Sequence, residues 1–330
     1  MKSICFPAQG EVALRDQPSR AVGPREVRVK VRVAGLCHTD YEVRAARYGN
    51  GAFPIVPGHE FAGEVIEIGN EVRGFSTGDR VVIDPNLSCG TCRSCLRGRE
   101  NLCVALGAYG VSKDGGFAEE AIIRAENLHK TELPWTQAAL AEPMGCVLNA
   151  VEALRPAAHD ETLIIGAGPI GILLAIALHT RGVERITLAD LSLERLALAE
   201  SFGFASVEAG SAQMQSLRGN MDIAADATGV TQVASGLTGY LADSGAALFF
   251  GVCPPDARIE ISPFEVFRRQ LRLMGTHSLN RNIPQALAAI TAYGPKIEGL
   301  VSHQVALEEM AEFLGTHPPK ASLKIQAVMS

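Results

Sequence analysis

The stretch TLIIGAGPIG, residues 162–171, decides the fold of the second half of the chain. A short apolar strand runs into a turn that contains three glycines, and an apolar helix follows over residues 172–181. The next strand, residues 185–189, ends at Asp190, which lies 19 positions after Gly171. This order of strand, glycine turn, helix and strand, with an acid at that spacing, predicts a Rossmann unit that binds a dinucleotide.

Each glycine of the turn has a physical role in holding a dinucleotide. Gly166 makes the turn, Gly168 lets backbone amides approach the pyrophosphate, and Gly171 allows close packing of the helix. Asp190 would accept hydrogen bonds from the adenosine ribose and repel a 2′-phosphate, which favours NAD over NADP, although Arg195 leaves the strictness of this choice open. A doubly wound domain that binds another ligand is the alternative. The residues predicted to bind the cofactor are Gly166, Gly168, Pro169, Ile170, Gly171, Asp190 and Arg195.

The alternation of strands and helices continues beyond this unit. With strands 162–165 and 185–189, the further strands over 222–229, 245–251 and 271–276 supply five strands of the six-stranded parallel sheet that we predict. The first half instead contains strands of alternating apolar and polar residues, as in 27–33. We therefore predict an α/β protein of two domains: a β-rich domain over residues 1–150, completed by 295–330, and a doubly wound domain over 151–294.

Four cysteines of the first half have the close spacing of ligands to one metal ion: Cys89, Cys92, Cys95 and Cys103. Four thiolates suit tetrahedral zinc, at about 2.3 Å per Zn–S bond. A site with no open position is structural, and its binding energy orders the loop. Four unrelated thiols and an iron–sulfur cluster are the alternatives.

A second set of possible metal ligands is dispersed through the first half. Cys37 follows the predicted strand 27–33, His59 and Glu60 precede another strand, and Glu142 stands shortly before the second domain. A lone cysteine near a strand end is more often a small buried apolar residue than a ligand. Together, a thiolate, an imidazole and one or two carboxylates predict a zinc site that keeps one position open for substrate.

These motifs, in this order, resemble the zinc-dependent medium-chain alcohol dehydrogenase family. Glu142-Pro143 resembles the polyol branch, which includes sorbitol, galactitol-phosphate and threonine dehydrogenases. The resemblance covers nearly the whole chain and implies a GroES-like catalytic domain, a Rossmann domain, two zinc ions per chain, and a homodimer or homotetramer. It also implies an oxidoreductase that transfers hydride between NAD and a polyol, a sugar alcohol or another secondary alcohol or ketone.

The resemblance assigns a role to each member of the second set. Cys37 and His59 are implied ligands of the catalytic zinc, and Glu60 is a direct or exchanging ligand. Glu142 is implied to bind the zinc or its water. The four later cysteines are implied to hold the structural zinc.

The proton path is the one departure from the family pattern. Thr39 is implied to accept the alcohol proton, and Asp40 is implied to orient His59. Family members often carry a histidine three residues after the relay Ser or Thr, but Glu42 occupies that position here. Glu42 takes the proton itself, or water and the cofactor ribose carry it, or Glu42 is a solvated carboxylate with no part in the path.

The amino-acid composition limits the classes of partner that the protein can bind. The formal net charge of −6 and the lack of a basic stripe argue against nucleic acid. No apolar run approaches the roughly 18 residues that span a bilayer, which predicts a cytoplasmic protein with no membrane partner. The predicted partner is a small-molecule alcohol or polyol. The alternative functions are a zinc-independent reductase and a non-catalytic nucleotide-binding protein of the same fold.

Overall fold

Strands are the main regular structure in the first part of the computed structural model, which describes residues 1–16, 18–49, 51–319 and 322–329. In chain order the strands are β1 (Lys2–Cys5), β2 (Ala13–Asp16), β3 (Glu26–Gly35), β4 (Glu60–Ile68), β5 (Arg80–Ile83), β6 (Asn86–Leu87), β7 (Gly107–Ala108), β8 (Glu120–Arg124), β9 (Leu128–Lys130), β10 (Glu161–Ile165), β11 (Arg185–Asp190), β12 (Ala205–Glu208), β13 (Met221–Asp226), β14 (Leu241–Phe249), β15 (Arg272–Gly275), β16 (Val301–Val305) and β17 (Lys324–Val328).

Helices are concentrated in the later part of the chain. The α-helices are α1 (His38–Arg44), α2 (Trp135–Ala138), α3 (Ala141–Leu154), α4 (Pro169–Thr180), α5 (Leu193–Ser201), α6 (Ala212–Ser216), α7 (Thr231–Gly236), α8 (Pro263–Arg269), α9 (Ile283–Tyr293) and α10 (Leu307–Gly315). Short 3-10 helices include Cys95–Arg97 and Glu100–Leu102. Among the described residues, no helix is long and apolar enough to cross a bilayer.

The chain divides into two compact units. Unit 1 comprises residues 1–145 and 279–330, and unit 2 comprises residues 146–278. The first boundary falls inside α3. Residues 279–294, which the sequence assigns to the second domain, belong to unit 1. As functional domains, 1–150 with 295–330 and 151–294 stay a prediction.

Unit 2 contains a six-stranded sheet in the order β12-β11-β10-β13-β14-β15, and all its strand pairs are parallel. The chain moves outward from β10 to β12, returns to β13 beside β10, and then moves outward on the other side. The strand order therefore reverses between β10 and β13, as in a doubly wound Rossmann sheet. Residues 162–165 of the central strand β10 are buried, as expected of a parallel strand covered on both faces.

Unit 1 is organised around β3. Its sheet has the order β16-β17-β3-β4-β5-β9, and β8 also pairs with β3. Val27, Val29, Val31 and Val33 of β3 are buried, whereas the residues between them are partly exposed. This alternation fixes the register of β3, because a slip by one residue would turn the valines to solvent.

Candidate active site

Three neighbouring strands of unit 1 bring distant parts of the sequence to one sheet edge. Gly35, the last residue of β3, pairs with Glu60 at the start of β4 and with Gln326 of β17. Cys37, just after β3, and Lys324, the first residue of β17, therefore lie near Glu60. A Cβ atom at Gly35 would lie 2.5 Å from Glu60 Oε2, so a larger residue there would displace the Glu60 carboxylate.

The predicted ligands Cys37, His59 and Glu60 form one cluster. One ligand atom from each lies within 4.8 Å of the other two. His59 and Glu60 are buried, and Cys37 is partly exposed. Such a set of sulfur, nitrogen and oxygen donors within 4.8 Å of one another has the chemistry and spacing that suit a zinc ion.

The Asp40 carboxylate contacts the backbone and side chains that position this cluster. Its side chain is fully buried, and Oδ2 accepts a hydrogen bond from the Cys37 amide at 2.9 Å. Its Oδ1 accepts one from the Gly58 amide at 3.2 Å and lies 3.5 Å from His59 Nδ1. Burial opposes protonation of His59, but the charges of Cys37 and Asp40 outweigh it and raise the pKa of His59. Asp40 thus faces Nδ1 and leaves Nε2 for a metal ion.

Lys324 is a member of the site that sequence reasoning missed. Its Nζ donates a hydrogen bond to Glu60 Oε1 at 2.6 Å, also pairs with Oε2, and donates to the Leu36 carbonyl at 3.3 Å. Both charged side chains are buried. Burial acts to lower the pKa of Lys324, but Glu60, Cys37 and Glu142 outweigh it and raise the pKa. Glu60 therefore has a counter-cation of its own before any metal ion binds.

The other two predicted residues lie at the border of the cluster. Thr39 Oγ1 is 3.7 Å from Cys37 Sγ. Glu142 is buried in the first turn of α3, and its charge contributes to the raised pKa of Lys324. The three-residue cluster does not include Glu142, so its role as a ligand stays a prediction.

The Glu42 carboxylate forms an ion pair with Arg47. Arg47 donates to its two carboxylate oxygens at 2.9 Å and 2.7 Å, and His38 Nε2 lies 3.4 Å from Oε1. The hydrogen bond from Arg47 lowers the pKa of Glu42. A carboxylate with a lowered pKa is a poor proton acceptor. This geometry favours the solvated-carboxylate interpretation of Glu42.

The four later cysteines also meet in one cluster, with ligand atoms all within 4.8 Å of one another. The Cys92 amide donates to Cys89 Sγ, and the Cys89 amide to Cys103 Sγ, each at 3.3 Å. Hydrogen bonds from Thr91 and then Cys92 lower the pKa of Cys89 to about 6. Desolvation and the neighbouring thiols raise the pKa of Cys95 to about 12. A cation is therefore needed to hold all four as thiolates at neutral pH.

We expect about two zinc ions per purified chain, and about one in a Cys95→Ser variant, because a serine hydroxyl stays protonated and breaks the all-thiolate shell. The variant should also unfold at a lower temperature. Metal analysis and thermal unfolding measure both effects, with Cys253→Ser, outside both clusters, as the matched control. Two zinc ions in the Cys95 variant would contradict the assignment.

The predicted cofactor residues lie together in unit 2. Gly168 caps α4, Pro169 is its first residue, and the Gly166 amide donates to the Ala189 carbonyl at 2.7 Å. Asp190 ends β11, and its oxygens accept from the amides of Ala167 at 2.8 Å and Ser192 at 2.9 Å.

The Asp190 side chain therefore connects the glycine turn to the end of β11. Arg195 Nη1 lies 3.7 Å from Asp190 Oδ2. The carboxylate and the guanidinium are neighbours, so the predicted influence of both on the choice between NAD and NADP stays a prediction.

Comparison with known proteins identifies the family. The family described as "Alcohol dehydrogenase GroES-like domain" matches residues 23–134, and "Zinc-binding dehydrogenase" matches residues 169–292. The D-altritol 5-dehydrogenase of Agrobacterium fabrum is 48% identical over 332 residues, which cover 99% of both chains. The chain belongs to the zinc-binding alcohol dehydrogenase family.

Further relatives of this alcohol dehydrogenase agree with that placement. D-arabinitol dehydrogenase 1 of Uromyces fabae is 32% identical and covers 91% of this chain and 89% of its own. The crystal structure of a zinc-binding dehydrogenase from Sinorhizobium meliloti 1021, bound to NADP, superposes with a TM-score of 0.95 at 27% identity, covering 99% of both chains. The predicted GroES-like and Rossmann architecture is confirmed, as is the assignment to the oxidoreductases.

Proposed function

We propose that this dehydrogenase transfers hydride between NAD and a free polyol at a zinc centre held by Cys37, His59 and a carboxylate. One observation carries the proposal. Cys37, His59 and Glu60 converge at a sheet edge in a chain that is 48% identical, over 99% of its length, to a D-altritol 5-dehydrogenase. When bound, zinc would polarise the alcohol oxygen and lower the pKa of its proton.

The carboxylates take different roles in this proposal. Glu142 binds the zinc or its water, and Glu60 is an exchanging ligand whose charge Lys324 balances. The ion pair between Lys324 and Glu60 supports this division, since it satisfies Glu60 without a metal ion. Asp40 holds His59 in the orientation that a ligand needs.

Thr39 accepts the proton of the bound alcohol in this proposal. Its hydroxyl is 3.7 Å from Cys37 Sγ and partly exposed at the start of α1. The proton then leaves through water or the cofactor ribose, because Arg47 occupies the carboxylate of Glu42.

The charges near the cluster support a polyol without a phosphate group. Phosphate esters are commonly bound by an arginine or lysine that is free to pair with them. Arg44 donates to the carbonyls of Leu314 and Gly315, at the end of α10. Arg47 pairs with Glu42, and Lys324 pairs with Glu60, so each of these three cations is occupied.

We assign NAD rather than NADP as the physiological cofactor, because Asp190 would repel a 2′-phosphate.

We also propose a homodimer or homotetramer. Helix α8 buries none of its residues, and Phe264 and Phe267 are exposed on it, which supports a protein contact there. Free thiols at both clusters support a cytoplasmic, reducing location.

An NADH-production screen tests the substrate class. We expect the highest kcat/KM on free alditols such as D-altritol and D-arabinitol, and a preference of about tenfold or more over their phosphates, because Arg44, Arg47 and Lys324 already have partners. The screen should also include aminoalcohols and simple alcohols, each with NAD and NADP.

Three results of this screen would contradict the proposal. Activity only on simple primary alcohols would remove the polyol assignment. Turnover after complete removal of zinc would favour a zinc-independent reductase. NADH binding with no turnover of any alcohol would favour a non-catalytic nucleotide-binding protein.

A further inference from the structure

Asp226 stands at the point of the unit 2 sheet where the strand order reverses. It is the last residue of β13, and its register partner on β10 is Ile165. Gly166, the first glycine of the cofactor turn, follows Ile165 directly. In doubly wound sheets the dinucleotide crosses the carboxyl ends of the strands at this reversal. Asp226 therefore lies beside the residue that directly precedes the glycine turn.

The side chain of Asp226 organises the turn that follows it. Its Oδ1 accepts hydrogen bonds from the Thr228 amide at 2.7 Å, the Thr228 hydroxyl at 2.6 Å and the Gly229 amide at 3.3 Å. The Thr228 hydroxyl in turn accepts from the Val230 amide at 3.0 Å. One carboxyl oxygen thus fixes the backbone of three consecutive residues of the turn.

The burial of Asp226 makes this arrangement unusual. The residue is fully buried, and Oδ2 has no hydrogen-bond partner among the described residues. A buried polar atom without a partner lowers stability. The three hydrogen bonds to Oδ1 account for an acceptor at this position, but they do not account for the second carboxyl oxygen, Oδ2.

The turn held by Asp226 packs directly against the glycine turn. The Ala227 amide donates to the Ile165 carbonyl at 2.8 Å. A Cβ atom at Gly166 would lie 3.0 Å from Thr228 Cγ2 and 3.2 Å from the Ala227 carbonyl carbon. A shift of the turn by a few tenths of an ångström would therefore change the space beside Gly166.

We propose that Asp226 is a positioning residue for the dinucleotide. Its hydrogen bonds fix Thr228 and Gly229 in the turn that faces the glycine turn across the strand reversal, and so shape the crevice that takes the nicotinamide dinucleotide. It acts through Thr228 and Gly229 and does not touch the cofactor. This inference rests on the proposed use of NAD and adds a residue outside the glycine fingerprint and Asp190.

Three variants separate positioning from a general contribution to stability. Asp226→Ala removes the acceptor of all three hydrogen bonds, whereas Asp226→Asn keeps an oxygen that can accept them. Asp222→Ala is the matched control, because Asp222 lies at the opposite end of β13 and accepts one bond, from the Glu161 amide at 2.9 Å. Each protein is assayed for NADH binding by fluorescence titration, for KM of NAD and of the best polyol, and for thermal unfolding.

We expect Asp226→Ala to raise the Kd for NADH and the KM for NAD about tenfold, with the KM for polyol unchanged within about twofold. Asp226→Asn should stay within about threefold of the wild type in Kd. Asp222→Ala should bind NADH as the wild type does, even if its unfolding temperature falls.

Two results would overturn the inference: an unchanged Kd in Asp226→Ala, or an equal rise in Asp222→Ala. If Asp226→Ala does not fold, Thr228→Val replaces it and should raise the Kd about threefold, and an unchanged Kd there counts equally against the inference. NADH titration needs no polyol. A wild type that binds NADH but oxidises no polyol would therefore end the substrate proposal and leave the test of Asp226 intact.

Discussion

Replacing Cys37 with alanine should lower kcat/KM for polyol oxidation by at least about 10³-fold, while the Kd for NADH stays within about twofold of the wild type. The substitution removes the thiolate from the cluster of Cys37, His59 and Glu60, and a methyl group cannot bind zinc. The predicted cofactor residues belong to unit 2, and the backbone of that unit keeps its contacts. Steady-state NADH production and fluorescence titration measure these two effects, and zinc content reports whether the variant still binds the metal ion at this cluster.

The matched control for this variant is Cys5→Ala. Cys5 is buried in β1 of unit 1 and lies outside both metal clusters. Its loss should lower the unfolding temperature and leave kcat/KM nearly unchanged. Activity of the Cys37 variant above a tenth of the wild type would remove the thiolate from the mechanism, and loss of NADH binding would mean that the site is misplaced.

The motifs predicted well from the sequence are those whose residues are close along the chain. The glycine turn needs only the strand 162–165 before it and the helix after it. The four cysteines 89–103 also form their cluster within one short segment. Local spacing sets both geometries, so both can be recognised without knowledge of the tertiary fold.

Lys324 could not be predicted in the same way. It stands in the strand KIQAV, where alternation alone does not say which face meets the interior. Its partner Glu60 is 264 positions away, and only the pairing of β17 and β4 with β3 brings the two together. The sequence offered one weak signal, a cation among apolar residues in a predicted strand.

Lys324→Met should lower the free energy of unfolding of the zinc-depleted protein by about 3–5 kcal/mol, because it leaves the carboxylate of Glu60 buried without its cation. Both side chains are almost completely buried, so water cannot replace the lost charge. In the zinc-loaded protein the loss should be smaller, since the metal ion can take over the charge of Glu60. Urea unfolding with and without zinc measures both values.

The double variant Glu60→Gln with Lys324→Met separates the cost of an unpaired charge from the cost of lost packing. If the unpaired carboxylate causes the instability, the neutral double variant should recover most of the stability that the single variant loses, as replacement of a whole buried ion pair often does. Such a recovery would indicate that Lys324 is needed to neutralise Glu60, which lies next to Cys37 and His59, when no metal ion is bound. A double variant no more stable than Lys324→Met, or a single variant as stable as the wild type, would show that the ion pair does not hold this edge of the sheet.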